Sequence, residues 1–173
     1  VFLNLKDLDL RNIDFSVAVP PDKNDYLDQR LRQRGDLTAK GVAELLNESL
    51  EEIRVRGSLR VALEGECDRC LEPVDFTVDT EFDVCYRPAR FASSELDEVE
   101  IAKAESDIAF YEGDGIELND VLREQVVLSL PMQRLCRTDC RGICPVCGHD
   151  RNKAECGCQV KTADDRWAAL KQL

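Results

Sequence analysis

Eight of the nine cysteines fall into two clusters, a C-x2-C at Cys67 and Cys70 and a C-x3-C-x3-C-x2-C-x8-C-x-C run through Cys136, Cys140, Cys144, Cys147, Cys156 and Cys158. Eight thiols make two sets of four, the ligand count of a closed tetrahedral zinc site, and Cys144-Pro-Val-Cys-Gly148 reads as a tight knuckle that points two thiolates at one ion. The ninth, Cys85, is left over. Cys144, Cys147, Cys156 and Cys158 form the most compact tetrad. Cys67, Cys70, Cys136 and Cys140 then form the second, joining a hairpin tip to a segment more than about sixty residues away and closing a long loop. The alternative uses Cys140 with the knuckle and frees one thiol of the C-x-C. His149, beside the knuckle, is expected at the surface rather than as a ligand. An odd cysteine count, no recognisable export signal at the start and paired C-x2-C spacing favour metal over disulfides.

The chain has 173 residues, 43% of them hydrophobic, enough for one main core and a small metal-stabilised appendage. We expect an α+β fold: an antiparallel sheet with a covering helix and a C-terminal cysteine-rich zinc module. The expected domains are 1–131, including the Cys67/Cys70 hairpin, and 132–173. No stretch approaches the roughly 18 apolar residues of a membrane span, so no membrane association and a cytoplasmic location are expected. The net charge of -12 argues against a protein that simply coats nucleic acid. The charge is uneven, however. Residues 95–124 carry eleven acids against Lys103 and Arg123, whereas 131–161 carry Arg134, Arg137, Arg141, Arg151, Lys153 and Lys161 against three acids.

Alternation of apolar and charged residues on both sides of Cys67 and Cys70 predicts a hairpin with one buried face. Ile53, Val55, Leu59, Val61 and Leu63 supply one strand; Val74, Phe76, Val78, Phe82 and Val84 supply the other. A two-residue turn at Asp68-Arg69 would pair Arg54 with Asp83 and Arg56 with Glu81, so these arginines read as sheet partners rather than RNA ligands. Residues 1–20 read as two short strands, Leu27, Leu31 and the stretch 29–34 as a weak helical turn, and 36–50 fits helix or irregular chain equally. An acidic loop is expected at 91–106, a strand at Asp107–Tyr111 and a helix at Glu117–Leu130, stopped by Pro131. Thr162 to Asp165 has capping-box-like spacing before Trp167 and Leu170, which suggests a terminal helix docking on the core.

No catalytic residues stand out. Four thiolates leave a zinc ion no open position for water, and the chain lacks H-E-x-x-H, G-x-S-x-G and a glycine-rich phosphate loop. Cys67-Asp-Arg-Cys70 lies in a hairpin, not at a helix start that would activate a thiolate, which weakens a thiol oxidoreductase reading without removing it.

The residues Glu66-Cys-Asp-Arg-Cys-Leu71, Leu130-Pro-Met132, Leu135-Cys-Arg-Thr-Asp-Cys-Arg-Gly-Ile-Cys-Pro-Val-Cys-Gly148, the Cys156/Cys158 pair and Arg166-Trp-Ala-Ala-Leu-Lys-Gln-Leu173 together resemble the YceD family of large ribosomal RNA subunit accumulation proteins. The resemblance runs from about residue 50 to residue 173 and, more weakly, through the N-terminal strands. It implies a role in synthesis, processing or stability of large-subunit ribosomal RNA, and supports metal binding at the eight clustered cysteines. The expected protein is a non-enzymatic ribosome-biogenesis factor with two structural zinc ions. It would present Arg134, Arg137, Arg141, Arg151 and Lys153 to ribosomal RNA or a precursor particle. The alternative is an acidic adaptor that reaches the RNA through a basic ribosomal protein or a processing enzyme, using 95–124.

Overall fold

Asn4 and Arg11 punctuate the start of the chain in this computed structural model, which describes residues 1–23, 26, 30–91 and 108–159. The first strand, β1 (Phe2–Asn4), gives way to a short helix, α1 (Leu5–Leu10), because the Asn4 side chain accepts the Lys6 amide and caps the turn. The strand β2 (Ile13–Val19) follows. The expectation of two strands in 1–20 therefore missed a helix of six residues, too short to show a period.

Residues 32–33 are a strand fragment, β3 (Arg32–Gln33), not a helical turn, and residues 27–29 of that expectation lie outside the described residues. Leu37 to Asn47 form a full strand, β4, which settles a segment whose sequence left helix and irregular chain equally open. Its buried positions, Leu37, Ala39 and Ala43, keep the two-residue period, but alanine and glycine blur the apolar signal. Asn47 closes the following turn by accepting the Ser49 and Leu50 amides.

The long strands β5 (Glu52–Glu66) and β6 (Pro73–Pro88) bury one face, with Ile53, Val55, Leu59, Val61 and Leu63 on the first and Val78, Phe82 and Tyr86 on the second. Arg54 makes the expected contact to Asp83, which proves bidentate at 2.7 and 2.5 Å, and holds that carboxyl below its ordinary range. Arg56 instead turns to Glu44 at 3.7 Å, because β4 supplies a carboxylate on its other side. Strand β7 (Ile108–Tyr111) pairs with β6 in parallel, so the sheet is mixed, with order β2-β4-β5-β6-β7 and β3 added to β5. Asp107 and the acidic loop expected at 91–106 lie almost entirely outside the described residues.

A separate two-stranded sheet joins β1 to β8 (Gly115–Glu117). The helix α2 (Leu118–Leu128) then covers the core with Leu118, Val121, Leu122 and Val126, all buried, while Glu124 accepts a hydrogen bond from Tyr86 Oη at 3.1 Å. Among the described residues no helix is long and apolar enough to cross a membrane. The terminal helix expected around Trp167 lies outside the described residues.

The chain divides into two compact units: Val1–Gly65 with Asp75–Met132, and Glu66–Val74 with the chain from Gln133 onward. In the first, Phe15, Gly41 and Gly57 form a row across β2, β4 and β5. A Cβ on Gly41 would stand 2.2 Å from the Arg56 carbonyl oxygen and 2.7 Å from Phe15 Cζ, so only glycine admits both the close strand approach and the aromatic ring above it. Gly41→Ala is expected to destabilise the protein by about 1–3 kcal/mol, the usual cost of overpacking, in urea unfolding. A loss below about 0.5 kcal/mol would contradict this reading.

Candidate metal centres

Two turns of the second unit repeat one backbone pattern. At Cys67 the amide donates to Glu72 O at 2.8 Å, and its carbonyl accepts the Leu71 amide at 2.9 Å. At Cys144 the amide donates to His149 O at 2.8 Å, and its carbonyl accepts the Gly148 amide at 2.8 Å. Leu71 and Gly148 occupy the same place in the repeat and share the left-handed conformation, with φ of 64° and 71°. The link between β5 and β6 is therefore a six-residue knuckle over 67–72, not the two-residue turn expected from strand alternation.

Each knuckle aims two sulfurs at a common point, and a second cysteine pair completes the set. Cys67, Cys70, Cys136 and Cys140 lie together, as do Cys144, Cys147, Cys156 and Cys158, every sulfur within 4.8 Å of the others in its group. The 67–72 knuckle meets the distant stretch 136–140, with Cys67 Sγ 3.8 Å from Cys140 Sγ and Cys70 Sγ 3.5 Å from Cys136 Sγ. A disulfide would need about 2.05 Å, and all nine cysteines are free. Four sulfurs at about 2.3 Å from one ion stand roughly 3.8 Å apart along a tetrahedron's edges. The donor set and its spacing fit a tetrathiolate metal ion in both groups, and the grouping leaves no C-x-C thiol unassigned.

Burial and backbone donors set the thiols apart. Burial pushes the Cys67 thiol up, but the amides of Cys136, Arg69 and Cys70 outweigh it and bring the pKa down to about 6. At Cys70 the Glu72 amide lowers the pKa, whereas burial and the three neighbouring thiols raise it to about 12. The second group splits in the same way. Cys144 falls to about 6 through the amides of Cys147 and Val146, and Cys158 rises to about 12 against Cys147 and Cys156. Thiolates crowded without a cation hold on to their remaining protons, and a divalent ion removes that conflict.

The cations named from the sequence are spread through this unit. Arg134 is only 12% exposed and clasps Asp68, whose Oδ2 also accepts the Arg134 amide at 2.7 Å. Arg137 meets Asp139 at 3.4 Å, Arg141 meets Glu155 at 3.1 Å, and Lys153 reaches Glu72 and Asp150. Arg151 is exposed and has no acidic partner among the described residues. Arg69 donates to the Cys140 carbonyl at 3.0 Å, and a Cβ on Gly142 would stand 2.8 Å from Arg69 O. His149 is exposed, and Cys85 belongs to neither group. Sequence reasoning passed over Asn152, which donates to Cys140 Sγ at 3.4 Å and carries no motif of its own. It also passed over Leu71, which alignment of the two knuckles against each other would have exposed.

Fold and site together define a mixed-sheet α+β protein carrying paired tetrathiol knuckles. The chain belongs to the YceD family: residues 55–173 match the model described as "Large ribosomal RNA subunit accumulation protein YceD". Uncharacterized proteins of Mycobacterium bovis and Mycobacterium tuberculosis are 31% identical to it over 131 residues, 75% of this chain. The match covers about 60% of those relatives' length. No solved structure matches the chain.

The shared φ of the two knuckles yields a paired test. Gly148 has open space where a Cβ would stand, so Gly148→Leu meets only the left-handed backbone penalty of about 1–2 kcal/mol. Hydrogen exchange of the Cys144 amide is expected to accelerate about tenfold, whereas Leu71→Gly slows exchange at Cys67 or leaves it unchanged. Equal acceleration in both variants would show that φ is not the controlling constraint.

Proposed function

We propose that this chain is a non-enzymatic ribosome-biogenesis factor that supports synthesis, processing or stability of large-subunit ribosomal RNA, with two structural zinc ions held by its eight clustered cysteines. One observation carries the proposal: the segment 55–173 that matches the ribosomal RNA accumulation family contains both sulfur tetrads. Soft thiolate donors favour zinc over hard cations, and a full set of four sulfurs leaves no open coordination position. The ions are therefore scaffold elements. Residues 132–173 act as the metal module, to which the 67–72 knuckle lends two thiols, and residues 1–131 supply the α+β body. The cytoplasm, where ribosomes are built, is the proposed setting.

The RNA-facing surface in this reading comprises Arg137, Arg141, Arg151 and Lys153. Arg137, Arg141 and Lys153 have side chains 49, 59 and 67% exposed. Their ion pairs with acids are weak, solvent-screened surface pairs, which phosphate oxygens can replace at little cost. Arg134 is left to hold the knuckle through Asp68. The second reading is an adaptor that reaches the RNA through a basic ribosomal protein or a processing enzyme, using the acidic stretch 95–124.

Cells lacking the protein are expected to show a lowered ratio of large- to small-subunit ribosomal RNA, measured from total RNA, and an unchanged ratio would refute the proposal. In binding assays with large-subunit ribosomal RNA, the triple change Arg137→Ala, Arg141→Ala, Arg151→Ala is expected to flatten the slope of log affinity against log salt by about 2–3. An unaltered slope, with the cellular defect present, would favour the adaptor.

A further inference from the structure

Asn152 lies in the loop between Cys147 and Cys156, two thiols of one tetrad, yet its side chain is turned toward the other. Its Nδ2 donates to Cys140 Sγ at 3.4 Å and to Asp150 Oδ1 at 2.8 Å. Its Oδ1 accepts from the Arg141 amide at 2.7 Å and from the Arg137 guanidinium at 2.8 Å. The partners fix the amide's orientation: two donors face Oδ1, while a carboxylate and a sulfur face Nδ2, so the flipped amide would set donor against donor. The loop is pinned to the Cys140 stretch at further points. The Arg151 amide donates to Gly142 O at 2.9 Å, Ile143 bridges to Asp150, and Lys153 reaches Glu72 in the first knuckle. Cys140 is 3% exposed, so water cannot readily replace a donor to its sulfur.

We propose that Asn152 is a positioning residue that couples the two tetrads, so that metal ions load cooperatively. The inference rests on the metal reading above. An ion held by Cys144, Cys147, Cys156 and Cys158 closes both ends of the 148–155 loop and removes its conformational freedom. The ordered loop then presents the Asn152 amide to Cys140 Sγ, orienting that sulfur as a ligand and offsetting the excess negative charge of a tetrathiolate centre. The ordering cost of the loop is met once, by whichever ion binds first, and linkage requires each ion to tighten the other by the same factor. Arg137 and Arg141, which hold Oδ1, are thereby tied to the metal state of the unit.

The test is a cycle on the full-length reduced chain: the unaltered protein, Asn152→Ala, Cys147→Ser with Cys156→Ser to disable the second tetrad, and the combination. Zinc affinity of the first tetrad is read by chelator competition, and cadmium NMR distinguishes the centres by one resonance per tetrad. Asn152→Ala is expected to weaken the first tetrad about ten- to hundredfold, the usual effect of removing a hydrogen bond to a ligand. Disabling the second tetrad is expected to weaken it by a similar factor, and the combination to add little more. Asn152→Asp retains the acceptor for Arg137 and Arg141 while replacing the donor with an oxygen that faces the Asp150 carboxylate and Cys140 Sγ. It is expected to weaken the first tetrad at least as much, and to abolish the shift of the first-tetrad cadmium resonance on loading the second. Two ions bound independently, with both Asn152 variants within about twofold of the unaltered chain, would overturn the coupling and leave the metal reading intact. No ion at either tetrad in the unaltered chain would overturn both.

Discussion

Four sulfur atoms held within 4.8 Å of one another, twice over, are the constraint on which the second unit depends. Apart from the ends of β5 and β6, its described residues contain no helix or strand beyond the isolated pairing of Ile143 with Asp150. The apolar cluster in this unit is itself made of ligand-type residues, Cys67, Cys70 and Cys140, with Val74 and Leu135 packed against them. So small a core supplies little hydrophobic stabilisation, which is the situation in which metal binding and folding become one process. Crowded thiols are also unfavourable neighbours once ionised: burial and the thiols of Cys67, Cys136 and Cys140 push Cys70 up to about 12 against the lowering effect of the Glu72 amide. A divalent cation resolves both problems through the same contacts.

The first unit is stabilised differently. Ile53, Val55, Leu59, Val61 and Leu63 line one face of β5 and pack with Leu118, Val121, Leu122 and Val126 of α2 in one apolar cluster. This core depends on area removed from water rather than on any single contact. One exacting point is the glycine pair Gly41 and Gly57, with Phe15 against Gly41, where backbone approach leaves no room for a side chain.

Local patterns were legible in the sequence and long-range geometry was not. The β5 and β6 strands announced themselves through alternation, and the Arg54–Asp83 pair followed from it, because a half-buried strand writes its burial directly into residue order. Strand β4 did not, since Ala39 and Ala43 satisfy burial through small size and, with Gly41 between them, carry no amphipathic contrast. Arg56 was assigned to Glu81 for want of β4, whose Glu44 lies within reach on the opposite side. The parallel pairing of β6 with β7 is carried by no residue pattern in either strand. In the second unit, cysteine spacing named all eight grouped thiols, and the compact tetrad could be read from spacing alone. The grouping of Cys67 and Cys70 with Cys136 and Cys140 follows by elimination once the compact tetrad is assigned, although no spacing encodes the chain reversal that brings them together. Asn152 was invisible because its role comes from facing Cys140 Sγ across the loop, not from its neighbours in sequence.

The central claim is that both tetrads are closed, all-sulfur zinc centres. Zinc-edge X-ray absorption on the reduced full-length chain, combined with elemental analysis, tests it most directly. The account predicts two zinc ions per chain and a single shell of four sulfurs at about 2.3 Å. Nitrogen or oxygen in the first shell, or fewer than two ions on a fully reduced chain, would contradict it.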